Sequence, residues 1–148
     1  MPRLFRSMYE EAGRPVVGVE ANKLGVRVHP VPPDERADVH PDADGKVAPG
    51  EGMSVAPHWK KLPPSLVPER LKEIAPKARG ENALKCFRHG QGTFINGPVA
   101  AGLLFAVDPK KKTHGIVEPE QPIAVASFQE ALAATQSDWQ VDEEDEAT

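Results

Sequence analysis

Cysteine is nearly absent from this 148-residue chain. Cys86 stands alone, so no internal disulfide can form and the fold must hold by packing. Aromatic residues are scarce as well, at 5%, which leaves Val, Leu, Ile and Ala to build most of the core. No apolar run approaches the roughly 20 residues of a membrane-spanning helix. The first residues lack the apolar stretch of a secretory signal. The expectation is a cytoplasmic chain with no membrane partner, kept in the cytosol or delivered into another cell without such a signal. Also missing are the phosphate-binding loop, the doubly wound dinucleotide fingerprint and the serine elbow. Any nucleotide site must therefore be of another design.

Proline and glycine are plentiful. There are 16 prolines and 12 glycines, above average usage, and they alternate with apolar runs instead of forming low-complexity tracts. This composition predicts short strands and many loops, and the length suits one domain. The net charge of −4 hides an asymmetry. Residues 138–148 hold six acids (Asp138, Asp142, Glu143, Glu144, Asp145 and Glu146) and no base, so residues 1–137 carry +2. A near-neutral body argues against a nucleic-acid partner. Residues 138–148 read as an acidic, flexible tail beyond a single domain of residues 1–137.

The stretch Asp44–Pro57 sets two short apolar pieces, Val47–Ala48 and Met53–Ala56, among Gly45, Gly50 and Gly52. Such punctuation predicts strand, tight turn, strand. Ser54 would leave the turn with its hydroxyl beside exposed backbone. Leu4–Met8 reads as a first strand with Leu4 and Arg6 on one face and Phe5 and Ser7 on the other. Val16–Glu20 and Leu24–Val28 read as further strands, and residues 29–44 as an irregular excursion.

Pro68 suits a first helical position, Leu71, Ile74 and Ala75 share a face, and Pro76 ends the segment, which predicts a short helix. Ala83–Phe87 and Gly92–Ile95 read as strands. Val99–Val107 is either a buried strand or a short buried helix, since periodicity does not separate the two. His114–Val117 is another strand. The last helix is expected from Phe128 to about Trp139, with Ser127 and Glu130 at capping-box spacing. Phe128, Ala131, Leu132, Thr135 and Trp139 would form its apolar face. The class is α+β with a mainly antiparallel sheet.

Among reactive side chains, His29, His40 and His58 match no local metal-ligand spacing. Cys86 and His89 are three apart, but no second pair completes a site. Cys86 is either a buried apolar thiol or a nucleophile, the former being the commoner case. Arg6 lies between apolar neighbours, which suits either a strand arginine paired with a carboxylate or an anion-binding group.

Three pieces recur in order: Leu4-Phe5-Arg6-Ser7, then Asp44-Gly45 with Gly52-Met53-Ser54-Val55, then Thr113-His114-Gly115-Ile116-Val117-Glu118-Pro119-Glu120-Gln121-Pro122-Ile123. Together they resemble the small ADP-ribosyltransferase-like toxins of type VI secretion systems and their fungal relatives. Those proteins share a Leu-aromatic-Arg strand, a Gly-rich turn into a Ser-hydrophobic pair, and a late His-x4-Pro-x2-Pro run before a terminal helix. The resemblance implies a mixed sheet with a central cleft that binds NAD as substrate. Arg6, Ser54 and His114 would hold the cofactor, Arg6 by bidentate pairing with pyrophosphate or ribose. Ser54 and His114 would serve the chemistry, with His114 orienting the ribose or moving a proton.

Glu118 is a further catalytic candidate, because many transferases of the wider superfamily use a late Glu-x-Glu. Here Pro119 interrupts that pair. The reaction is an ADP-ribose transfer to an unknown acceptor, an NAD hydrolysis, or binding without turnover. A cognate immunity protein and a component of the secretion apparatus are implied partners. Lys110, Lys111 and Lys112 beside His114 either attract phosphates or form a solvated loop. Two rivals remain: a non-enzymatic interaction module, and another NAD-using enzyme on the same scaffold.

Overall fold

The computed structural model describes residues 1–147. In chain order the strands are β1 (Leu4–Glu11), β2 (Arg14–Pro15), β3 (Lys46–Val47), β4 (Met53–Val55) and β5 (Leu84–His89). They continue with β6 (Gly97–Ala100), β7 (Leu103–Val107), β8 (Gly115–Pro119), β9 (Ile123–Ala124) and β10 (Trp139–Val141). The helices are α1 (Val125–Ala133) and the single-turn α2 (Glu143–Glu146). One four-stranded sheet runs β10-β5-β1-β2, another runs β4-β8-β7-β6, and β3 pairs with β9. Every ladder is antiparallel. The chain is thus a mixed α/β fold of mostly antiparallel sheets with a helix near its C-terminal end.

Strand β1 divides the interior. A period of two sends Leu4 and Met8 to one side and Phe5 to the other, as the sequence predicts, and both sides are covered. Leu4 and Met8 enter the larger core with Phe87, Phe105, Phe128 and Trp139. Phe5 enters a smaller core with Trp59, Leu71 and Cys86. Backbone pairing links β1 to the chain just after β4 at one place. Phe5 and Ala56 exchange both backbone N–H···O bonds at 2.9 Å, as an isolated bridge. On either side of that bridge β1 and β4 have no ladder, and the opening between them is where the site lies.

Several expectations are corrected. Val47 and Met53 do not form a hairpin: β3 pairs with β9 and β4 with β8. Long-range ladders take both pieces in place of the local turn. Val16–Glu20 and Leu24–Val28 make only single bridges, Val17 to Leu24 and Val28 to Val39. Gly92–Ile95 contributes no strand. The helix expected from Pro68 is reduced to one three-residue 3-10 turn at Glu69–Leu71, which follows two more at Trp59–Lys61 and Pro64–Leu66. Between Pro68 and Pro76 only about two turns are available, too few for a helix to hold by itself, and the Glu69 N–H is tied to Gly80 O at 3.0 Å.

The run Val99–Val107 is neither one strand nor a helix. It folds back as the β6–β7 hairpin, turning at Gly102 with φ of +75°, a conformation that disfavours any side chain. Helix α1 begins three residues before Phe128, without a side-chain cap, because Ala124 is still in the β3–β9 ladder when the helix starts. The expected apolar face survives its early end. Phe128, Leu132, Thr135 and Trp139 are all buried, and the indole N–H of Trp139 donates to Thr135 Oγ1 at 3.0 Å.

The acidic segment does not hang free of the domain. Trp139 and Val141 alternate with exposed Gln140 and pair with β5. Asp142 caps α2, and Asp145 is buried on Arg70. Three of the residues counted as tail are therefore the outer strand of a sheet.

Candidate functional site

Arg6 sits on the larger-core face of β1, between Leu4 and Met8, with no carboxylate bonded to its guanidinium. It donates instead to backbone carbonyls. Nη1 reaches Ser54 O at 2.8 Å, Nε and Nη2 reach Lys23 O at 3.3 and 3.0 Å, and Nη2 reaches Gly25 O at 3.5 Å. Four of the five guanidinium hydrogens are thereby used, which leaves one on Nη1. Burial pulls the pKa down to about 10, with nearby Arg27 adding to that and Asp38 opposing it. The group is still a cation at neutral pH. It ties the 23–25 loop and β4 to β1, and it lines the cavity between them.

Ser54 is the middle residue of β4, with Met53 and Val55 buried on the other face. Its position is tightly set by the neighbouring strand β8. Gly52 lies so close to β8 that a Cβ there would stand 2.0 Å from Val117 O, so any side chain would displace the backbone leading into Ser54. The register pairs Ser54 with Ile116 and Val55 with Gly115. His114, just ahead of β8, can then reach across. Its Nε2 lies 3.2 Å from Ser54 Oγ, and its Nδ1 lies 3.3 Å from Asp108 Oδ2.

Asp108 and His114 are the two ends of the loop joining β7 to β8. The loop is closed by Asp108 N–H donating to His114 O at 2.9 Å. The backbone N–H of Lys110 donates to Asp108 Oδ1 at 2.8 Å. That bond is the main reason the Asp108 carboxyl is held below the usual carboxylate range, and His114 adds to it.

Arg6, Ser54 and His114, separated by 48 and 60 positions, line one cavity of about 340 Å3. Arg27, Arg36, Lys61 and Lys111 also reach it, against the single carboxylate of Asp38. Asp38 accepts from Arg27 through the backbone N–H at 2.7 Å and the guanidinium at 3.3 Å. A second space of about 330 Å3 adjoins the first, shares Arg27, Arg36, Asp38, Ser54 and His114 with it, and adds Glu51. Cavities of this size suit a small organic ligand, and the lining of the first favours an anionic one.

Glu118 does not line this cavity; with His114 and Asp108 it lines a neighbouring one of about 330 Å3. It lies on the same face of β8 as Ile116, and its Oε2 accepts from Gly50 N–H at 3.0 Å. Four residues of strand, roughly 13 Å, separate it from His114. Among the triple of lysines, Lys111 alone lines the cavity beside His114. Cys86 and His89 point to opposite cores from β5. Cys86 is fully buried, and its thiol is pushed far up, first by burial and then by Asp145. His89 packs on Trp139 with ring centroids 5.1 Å apart. Among the described residues, no group of three or more His, Cys, Asp or Glu is placed to hold a metal ion. No helix among them is long and apolar enough to cross a membrane.

Asp108, Arg27 and Asp38 are the residues that sequence reasoning missed. A signal for Asp108 existed. Asp-Pro opens a turn between two apolar strands, so the residues bracketing that turn face one another across the hairpin. No protein-family model matches this chain, and no curated protein does. Function is thus read from the side chains themselves.

Proposed function

We propose that the chain is an NAD-dependent ADP-ribosyltransferase-like effector that acts in a target cell's cytosol, with its reaction centre in the cleft between β1 and β4. One observation carries this reading: Arg6, Ser54 and His114, three residues distant in sequence, meet at a single cation-lined cavity. The cofactor's pyrophosphate would lie toward Arg6 and the unpaired cations. Arg6 offers its one remaining N–H and a charge strengthened by burial away from water. The nicotinamide–ribose bond would break through an oxocarbenium-like state near Ser54 and His114. His114, which lines the cavity with Arg6 and Ser54, would take the acceptor's proton. The acceptor is either water or a macromolecule of the target cell. A cognate immunity protein covering the cleft, and a component of a secretion apparatus, are the partners this reading calls for.

The test incubates the purified chain with NAD and follows nicotinamide release. The same variants are also expressed from a tight promoter while growth and NAD level are recorded. Wild type should release nicotinamide and arrest growth, and folded His114→Ala and Ser54→Ala should do neither. Absence of both NAD binding by calorimetry and growth arrest would overturn the reading in favour of an interaction module.

A further inference from the structure

Asp108, His114 and Ser54 form a continuous hydrogen-bonded chain that holding a cofactor does not by itself require. We propose that this chain makes Ser54 Oγ a nucleophile, with His114 as its general base and Asp108 as a positioning residue. The protein would thereby take an electrophilic acyl or phosphoryl group onto Ser54.

The direction of the chain follows from the protonation of Asp108. Its carboxyl is fixed by the Lys110 N–H on Oδ1, and an ionised carboxylate only accepts. The hydrogen between Oδ2 and Nδ1 must therefore sit on the imidazole. That tautomer leaves the lone pair on Nε2, 3.2 Å from Ser54 Oγ, so the serine hydroxyl donates. This is the arrangement in which a histidine can withdraw a serine proton while a carboxylate steadies the resulting imidazolium. The loop clamp between Asp108 N–H and His114 O, together with His114 N–H on Lys111 O at 3.0 Å, holds the ring in place. Ser54 and His114 face both adjoining cavities, so a substrate could approach. Arg36 lines the same two cavities and forms no ion pair among the described residues. Its guanidinium is free to receive the charge that develops on a carbonyl or phosphoryl oxygen. The cationic lining favours a donor that is itself anionic.

The step balances as follows. Ser54 Oγ forms a bond to the carbonyl carbon or phosphorus, and the bond to the leaving group breaks with its electron pair going to that group. The serine proton passes to His114 Nε2 and then to the leaving group or solvent. Water, deprotonated by the same imidazole, later cleaves the ester and restores the hydroxyl. None of this depends on NAD.

The probe is an alkyl fluorophosphonate, from which fluoride departs. The full chain is labelled across a range of pH, and the modified residue is located by peptide mass spectrometry. Wild type should be labelled at Ser54, with a pH dependence that His114→Ala lacks. Ser54→Ala should not be labelled there. His114→Ala and Asp108→Asn should slow labelling by at least about a hundredfold, in line with loss of the correct tautomer. Asp108→Asn retains an acceptor for the Lys110 N–H, so a purely structural Asp108 would leave the rate unchanged. No labelling of Ser54 in folded wild type, or equal rates in Asp108→Asn and wild type, would overturn the proposal. Nicotinamide release from the same preparations reports on the NAD reading separately, so either can fail without the other.

Discussion

The guanidinium of Arg6 donates to the backbone carbonyl of Ser54 at 2.8 Å, so the cation on β1 and the residue carrying the hydroxyl on β4 are fastened to each other. The same guanidinium holds the carbonyls of Lys23 and Gly25. Arg6 is therefore part of the cleft wall as well as of the site.

Replacement of Arg6 by lysine should be costly to the fold. A lysine can satisfy at most some of these carbonyls. Each lost charge-assisted bond is worth about 1.5–3 kcal/mol, so Arg6→Lys should lower the unfolding free energy by about 3 kcal/mol in urea titrations. Ser54→Ala and His114→Ala should leave it within about 1 kcal/mol, because both side chains are partly solvated. Equal stability of all three variants would mean that water replaces the guanidinium without loss.

The acidic C-terminal segment should prove necessary for folding. Asp145 has a fully buried side chain, pairs with Arg70, and accepts the backbone N–H of Cys86 at 2.6 Å. Removing one partner of a buried pair leaves the other uncompensated, so Asp145→Ala should cost about 3 kcal/mol. Truncation before Trp139 should cost more, since it also removes an outer strand and a buried indole. A truncated chain with an unchanged melting temperature would refute this role.

Acid should weaken the fold partly through His89. Burial lowers its pKa in the folded state, so the unfolded chain binds the proton first as pH falls. Stability from this residue is intact above the unfolded value of about 6.5 and declines below it. The slope is at most about 1.4 kcal/mol per pH unit for one proton. Urea titrations at acidic and neutral pH should show a smaller acid loss in His89→Phe than in wild type. Parallel losses would show that other groups govern the acid limb.

The thiol of Cys86 should be silent in the native protein. It is buried in the smaller core, its pKa is pushed up by burial and by Asp145, and only the thiolate reacts readily. An aromatic disulfide reagent should modify it at the rate of unfolding, and rapidly in denaturant. Fast native modification would mean that the smaller core opens without global unfolding.

Several parts of this structure could be read from sequence because one local pattern had one outcome. The alternation Leu4-Phe5-Arg6-Ser7 divides the two cores as period two demands. The strand after His114 forms, and the face of Phe128 and Leu132 is buried as its helical spacing predicts. Arg6, Ser54 and His114 were identified as residues, and they meet. Glu118 lies on the face of β8 that Ile116 shares with Ser54, two residues farther along, where it accepts from Gly50 N–H and lines a neighbouring cavity with His114.

The sequence by itself determined the residue types of the cleft, the faces of its main strands and the lack of a disulfide, because these follow from short-range periodicity and composition. Partner choice was decided in the tertiary structure. Val47 and Met53 lie six positions apart yet join different strands, and Gln140 rides in a sheet although acids surround it. A backbone ladder is satisfied by whichever strand the core brings alongside, and that strand lies far away in the chain. Asp108 follows the same logic. Its carboxylate is one of 22 acids in the sequence, and only the closed loop between β7 and β8 sets it on the imidazole that reaches Ser54.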